Sequence, residues 1–201
     1  MNDPMPPSAR GRGPFLLLGV LFFAPLIAAM LLYFVLPQYR PQGRTNYGDL
    51  LAPARTQPIL QFTDATGAAR DSSVFHGRWS FVYLAGASCD EACVAKIIQI
   101  RQVRILLNEK RPRVQRIYLA SDAAVLQAAR QQFGTEQPDL VYLADVGPAG
   151  QRAVDFFKPT DALALYLVDP HGNWLMVYPG TAEYQGILKD IKLLLKLSQI
   201  G

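Results

Sequence analysis

An α/β domain, with a mixed sheet flanked by helices on both faces and carried behind one N-terminal transmembrane helix, is the fold class this sequence predicts. Three observations predict it. Residues 15–36 run for 22 positions without a charged side chain. From residue 79 onward, short apolar runs alternate with helical stretches, the order expected of strands and helices packed in layers. The chain has only two cysteines, Cys89 and Cys93, and both sit where one apolar run meets the helix after it.

At about 1.5 Å of rise per residue, a helix over residues 15–36 crosses a hydrocarbon layer of about 30 Å. Tyr33, Phe34, Val35, Leu36 and Pro37 stand where a cleaved leader would carry a small-x-small site, so the segment reads as a retained anchor. Pro25 falls inside the span, where membrane helices tolerate it. Arg10 and Arg12 on one side balance Arg40 and Arg44 on the other, so flanking charge does not set the orientation. The short segment 1–14 is the easier one to leave in the cytoplasm, and a reactive cysteine pair suits an oxidising exterior, which places the rest outside. Residues 37–57, rich in Pro, Gln, Gly and Arg, read as a linker, and residues 58–201 as the folded domain.

Within that domain, residues 59–63 predict a short strand and Asp64-Ala65-Thr66-Gly67 a turn, followed by an irregular connection over 71–77. Residues 79–85 are apolar throughout and predict a buried strand; Gly86-Ala87-Ser88 is the turn that delivers Cys89 to a helix start. A helix over 91–108 ends before Pro112, and 114–120 predicts a second buried strand. Ser121 is the expected cap of a helix over 122–133, closed by Gly134. A strand at 140–143 and a short helix at 151–157 follow. Residues 163–168 and 174–178 then flank Asp169-Pro170-His171-Gly172-Asn173, which has hairpin chemistry. An amphipathic helix over 184–200 closes the chain, with Ile187, Leu188, Ile191, Leu194 and Leu195 on one side. This βαβα order, completed by a β-hairpin and a last helix, is the thioredoxin-like plan.

The net charge of +4 divides unevenly. Residues 1–44 hold four arginines against Asp3, whereas residues 45–201 hold sixteen basic and fifteen acidic side chains and are nearly neutral. That balance excludes a duplex-binding surface, which needs concentrated positive charge. The one basic cluster, Lys96, Arg101, Arg104, Lys110, Arg111, Arg113 and Arg116, reads as a solvated helix face with cations near a helix C-terminus. No phosphate-cradling glycine loop, G-x-S-x-G elbow or H-E-x-x-H helix occurs, so nucleotide and hydrolase chemistry find no support.

Chemistry therefore rests on Cys89 and Cys93. A helix N-terminus favours thiolate over thiol, and thiolate attacks disulfides and binds soft metals. Asp90 and Glu91 oppose this, since adjacent negative charge disfavours a second anion. Cys89, at the exposed turn, is the expected attacking sulfur, and Cys93, one helical turn deeper, the resolving one.

Three segments carry a resemblance to a known family: Gln61-Phe62-Thr63-Asp64-Ala65-Thr66-Gly67, the strand and C-x3-C of residues 79–93, and Tyr166-Leu167-Val168-Asp169-Pro170-His171-Gly172. Over most of residues 57–200 the chain resembles the Sco family of cytochrome c oxidase assembly proteins. The resemblance implies a membrane-anchored thioredoxin-like domain on the periplasmic side of a cell inner membrane. It also implies work on the oxidase copper site, by metallation or thiol reduction, with an oxidase subunit or another assembly protein as partner. Copper, as the resemblance has it, would be held by Cys89, Cys93 and a distal histidine, whose position falls here on Asp161. A carboxylate is a hard ligand, poorly matched to Cu(I) between thiolates. Of the two histidines, His76 and His171, the latter is the candidate substitute, against the ordinary reading of an exposed turn residue. Three functions follow: a thiol-disulfide oxidoreductase in oxidase assembly, a copper chaperone, or a scaffold whose cysteines form a structural disulfide.

Overall fold

A computed structural model describes residues 13–35 and 46–198. It divides into two units at Arg44/Thr45, each described by itself. In the first, α1 (Gly13–Met30) continues through one wider turn, Leu31–Val35. Together they form a 23-residue apolar helix that meets the length and composition needed to span a membrane as a single-pass anchor. Residues 1–12, 36–45 and 199–201, which hold most of the predicted tail, the first part of the predicted linker and the end of the predicted last helix, lie outside the described residues.

The second unit is built on one eight-stranded sheet. Its strands are β1 (Asp49–Thr56), β2 (Gln61–Asp64), β3 (Ala69–Asp71), β4 (Trp79–Leu84), β5 (Val114–Ala120), β6 (Leu140–Asp145), β7 (Leu165–Val168) and β8 (Asn173–Tyr178). They lie side by side in the order β1-β8-β7-β4-β5-β6-β2-β3. Strands β4, β5 and β6 run parallel, and every other pairing is antiparallel. The helices are α2 (Glu91–Ile105), α3 (Ala123–Phe133), α4 (Ala153–Phe157) and α5 (Tyr184–Leu197).

Alternation along the strands sorts two cores, because successive side chains point to opposite faces. Phe81, Tyr83 and Tyr118 face α2, α3 and α5, packing with Ile97, Ile100, Leu126, Phe133, Ile187 and Ile191. Val82, Ile117 and Leu119 face the other way, onto Phe75, Phe157 and Trp174. The central strands are buried along almost their whole length, which is why they read as continuous apolar runs.

The structure departs from the sequence reading in four places. Residues 49–56, read as linker, form the edge strand β1, paired with β8 through Asp49–Val177, Leu50–Met176, Arg55–Trp174 and Thr56–Asn173. Its side chains are almost all exposed and its register shifts between Leu50 and Arg55, so no alternation marks it; Pro53 is tolerated because the strand is at an edge. A short exposed strand, β3, covers Ala69–Asp71, residues for which no strand is predicted and of which Asp71 is read as the start of an irregular connection. The cap of α3 is Asp122 rather than Ser121, its carboxylate accepting from the Val125 N–H at 2.9 Å. The basic cluster is not one solvated face, since Lys96 and Arg116 are buried. The Arg116 guanidinium donates to Asp139 (2.5 Å), Gln137 (3.0 Å) and the Ile97 carbonyl (3.3 Å), partners on neighbouring elements that local pattern does not show.

One buried carboxylate joins the chain entering the domain to its last helix. Asp190 of α5 accepts the backbone N–H groups of Tyr47 and Gly48, each at 2.9 Å. Replacing Asp190 with alanine strands both donors, and an unsatisfied buried donor costs ~1–3 kcal/mol. The expected outcome is a denaturation midpoint lowered accordingly for the full chain in detergent, with the 45–50 segment becoming protease-sensitive first.

Candidate functional site: the disulfide at the start of α2

Strand β4 leaves the sheet at Leu84, and Ala85 keeps one more sheet bond, its N–H to the Leu119 carbonyl at 2.8 Å. The chain then turns through Gly86, Ala87 and Ser88, all exposed, and reaches Asp90 in extended conformation as the N-cap of α2. The Asp90 carboxylate accepts from the Cys93 N–H at 2.9 Å. Cys89 therefore precedes the cap, and Cys93 sits inside the first turn.

The two sulfurs are bonded to each other across this boundary, with Cα atoms 5.2 Å apart. Their surroundings differ. Cys93 is 3% exposed and packs in the core with Ile97 and Tyr83, whereas Cys89 is half-exposed and only borders that core. Gln132, near the end of α3, donates to the Cys89 carbonyl at 3.3 Å, steadying the turn from the other side. Cys89 is thus the more exposed residue of the pair and Cys93 the buried one.

Beside this turn a cavity of about 510 Å³ opens across the C-terminal ends of β4 and β5, lined among others by Leu84, Gly86, Ala87, Ala120, Arg152 and Asp161. Asp161 belongs to this edge but is occupied with backbone. It accepts from the Gly180 N–H (2.5 Å) and the Leu163 N–H (2.8 Å), and these bonds hold its carboxyl below the usual carboxylate range. Lys96 of α2 closes the arrangement from the other side, donating to the Gly180 carbonyl (2.7 Å) and to Gln99 (2.8 Å). Burial pushes the Lys96 ammonium down while Asp161 pulls it up. A Cβ at Gly180 would lie 2.7 Å from that of Leu163, so the clamp needs glycine there. At the end of β4, burial raises the Tyr83 hydroxyl to about 12, and the charges of Asp90 and Asp161 add to the effect.

Both histidines lie at the other end of the sheet. His171 is exposed in the β7–β8 turn, where its N–H donates to Asp169 at 2.9 Å. That turn abuts the start of β4, since Val168 pairs with Ser80 and the Gly77 N–H reaches the Pro170 carbonyl at 2.9 Å. His76 packs there too, close enough that a Cβ on Gly172 would fall 3.1 Å from its Nε2. Six residues of β4, about 20 Å, separate this turn from the cysteines. His171 is therefore no substitute ligand, and the ordinary reading of it holds. Among the described residues no group of three or more His, Cys, Asp or Glu side chains is placed to hold a metal. With the sulfurs joined and Asp161 spent on backbone, the residues present do not fit the three-ligand copper site that the resemblance implies.

The clamp of Asp161, Gly180 and Lys96 and the cavity escaped the sequence reading. The clamp joins residues more than eighty positions apart, and the cavity joins ends of elements that only the sheet order brings together. The one local signal was the Pro179-Gly180 pair that follows a strand.

A parallel βα unit whose helix opens with a C-x3-C disulfide, followed by an antiparallel hairpin and a closing helix, defines a thioredoxin-like protein. Residues 79–198 match the family model described as transmembrane-like, thioredoxin-like, C-terminal domain, and the chain belongs to that family. No curated protein sequence matches it. Among solved structures it is similar to apo Sco1 from Thermus thermophilus, with a TM-score of 0.61 and 16% identity over 76% of this chain and 99% of that one. Yeast Sco1 with copper bound gives 0.55 and 16%, over 71% and 89%. BsSco, described through a disulfide switch as a member of the Sco family of cytochrome c oxidase assembly proteins, gives 0.56 and 16%, over 72% and 96%. These likenesses establish a shared fold.

Two outcomes follow from the site. Asp90→Ser keeps a cap and removes the charge beside both sulfurs, so the reduced protein should alkylate with iodoacetamide several-fold faster at neutral pH. Asp90→Ala should in addition cost about 1 kcal/mol of stability. For Asp161, a carboxyl depressed in the folded state stabilises the fold fully above its unfolded value of about 3.9, and that contribution is lost as pH falls through the folded value. The gap in melting temperature between the parent and Asp161→Asn should be full above about pH 5 and narrow steadily below about pH 4.

Proposed function

We propose that the protein is a thiol-disulfide exchange factor, tethered to a cell inner membrane with its folded domain in the periplasm, that serves the assembly of a respiratory cytochrome oxidase. The observation that carries the reading is the asymmetric Cys89–Cys93 disulfide: one sulfur reachable, the other buried in the first turn of a capped helix. A partner thiolate attacks Cys89 Sγ. The bond to Cys93 breaks, its electron pair goes to Cys93 Sγ, and a mixed disulfide joins Cys89 to the partner. A second partner thiol then displaces Cys89, leaving a dithiol here and a disulfide on the partner; the reverse sequence delivers the electrons back.

The oxidase as client rests on the three sequence segments shared with the Sco family and on the description of the similar BsSco as an oxidase assembly protein with a disulfide switch. Copper is not part of the proposed step, because the donor set stops at two sulfurs. The periplasmic location rests on the fit of the 23-residue apolar helix to a membrane anchor and on the need of a reactive disulfide for an oxidising compartment.

The test is capture of the intermediate. Cys93→Ser in cells respiring through the oxidase should accumulate a mixed disulfide, visible on non-reducing gels as a dithiothreitol-sensitive band containing an oxidase subunit or a second assembly factor. Cys89→Ser should give none, and both variants should lower oxidase activity. Full oxidase activity in the double serine variant, with no trapped species, would mean that the disulfide only braces the fold.

A further inference from the structure

The far end of the sheet from the cysteines carries a second concavity, of about 520 Å³, whose walls include Arg78, Arg101, Arg104 and Arg111 together with Asp139. These arginines come from three separate places. Arg78 precedes β4, Arg101 and Arg104 lie on the last turns of α2, and Arg111 lies in the 3-10 turn Asn108–Arg113 before β5. Cations at the end of α2 are expected from the helix dipole. That accounts for Arg101 and Arg104, but not for the convergence of Arg78 and Arg111 on the same hollow.

Counter-charge is scarce. Asp139 is the one carboxylate on the wall, and it is already shared: Arg104 Nη1 donates to one oxygen at 2.7 Å and the buried Arg116 Nη2 to the other at 2.5 Å. The Arg104 Nε donates to the Val114 carbonyl at 2.6 Å. Arg78, Arg101 and Arg111 have no hydrogen-bonded or ion-paired partner among the described residues. Burial pushes the Arg104 guanidinium down against the pull of Asp139, and Arg111 and Arg78 push it further in the same direction. Holding such charges together without an anion costs electrostatic energy that a bound anion recovers. Guanidinium groups present planar forks of N–H donors that match tetrahedral oxyanions in pairs.

We propose that this hollow binds a multiply charged oxyanion of the phosphate type, free in solution or on a lipid headgroup, with Arg78, Arg101 and Arg111 as its principal donors. Arg104 holds the wall by pairing with Asp139 and adds positive potential. The site is separated from the disulfide by the length of β4 and is independent of the exchange chemistry.

The test uses the full-length protein in a neutral detergent, titrated with inorganic pyrophosphate at ionic strength matched by chloride and followed by calorimetry and melting temperature. Saturable one-to-one binding with a raised melting temperature is expected, weakened about tenfold or more by Arg101→Gln or Arg111→Gln. Lys192→Gln, which removes an exposed cation on α5, should leave it unchanged. Detergent micelles doped with phosphatidylglycerol separate the sources: binding to them that pyrophosphate displaces and the same variants weaken assigns a lipid phosphate, and binding to pyrophosphate alone assigns a soluble anion. No binding in matched chloride, binding indifferent to both arginine variants, or preference for a polyglutamate peptide over pyrophosphate would overturn the proposal. Neither the Arg101 nor the Arg111 side chain makes a described hydrogen bond, so both variants should fold, and their unliganded melting temperatures check this.

Discussion

The rest of the site depends on how α2 begins. Two fastenings hold that turn: the hydrogen bond from the Cys93 N–H to the Asp90 carboxylate and the covalent bond from Cys93 to Cys89. They span nearly the same residues, but only one is redox-sensitive. When the disulfide opens, the cap still fixes Cys93 in the helix, and the Ala85 and Gln132 bonds still fix the approach of Cys89. These bonds hold the start of α2 independently of the disulfide, whereas a turn held by the disulfide alone would depend on its redox state.

The second constraint is the length and burial of β4, which turns one sheet into two chemically separate edges. At its C-terminal end stand the cysteines, the cavity and the clamp of Asp161, Gly180 and Lys96. Its N-terminal end carries both histidines and the arginine hollow. Because the strand is buried on both faces, neither set of side chains can reach across it. The donor set near the sulfurs is thus fixed by topology, and a turn histidine at the wrong end of a hairpin cannot be recruited by a rotamer change.

What was legible in the sequence follows the same physics. Buried parallel strands announce themselves as apolar runs, so β4, β5 and the β7–β8 hairpin stood out, as did the C-x3-C at a strand-to-helix junction. The layered plan came from those signals alone. Edge strands β1 and β3 left no pattern because their side chains face water, and their order comes from pairing with β8 and β2. Arg116 looked like one more surface cation, since only Asp139 and Gln137, more than twenty residues away, make its burial tolerable. The placement of His171 depended on which end of the sheet its hairpin turn occupies, which spacing along the chain does not encode.

The acidic surroundings of the disulfide bear on its redox sense. A disulfide is a strong oxidant when the dithiol it becomes is stabilised as thiolate, and neighbouring cations or bare helix amides achieve that. At this edge the Cys93 amide is taken by Asp90, Glu91 follows in the first turn, and Asp161 remains anionic against Gly180. Lys96, an ammonium at this edge, is turned to the Gly180 carbonyl and Gln99. Asp90 and Glu91 stand in the chain between the two cysteines, and adjacent negative charge in general disfavours a second anion. The same negative charge, spent on backbone hydrogen bonds, offers a soft metal no third ligand.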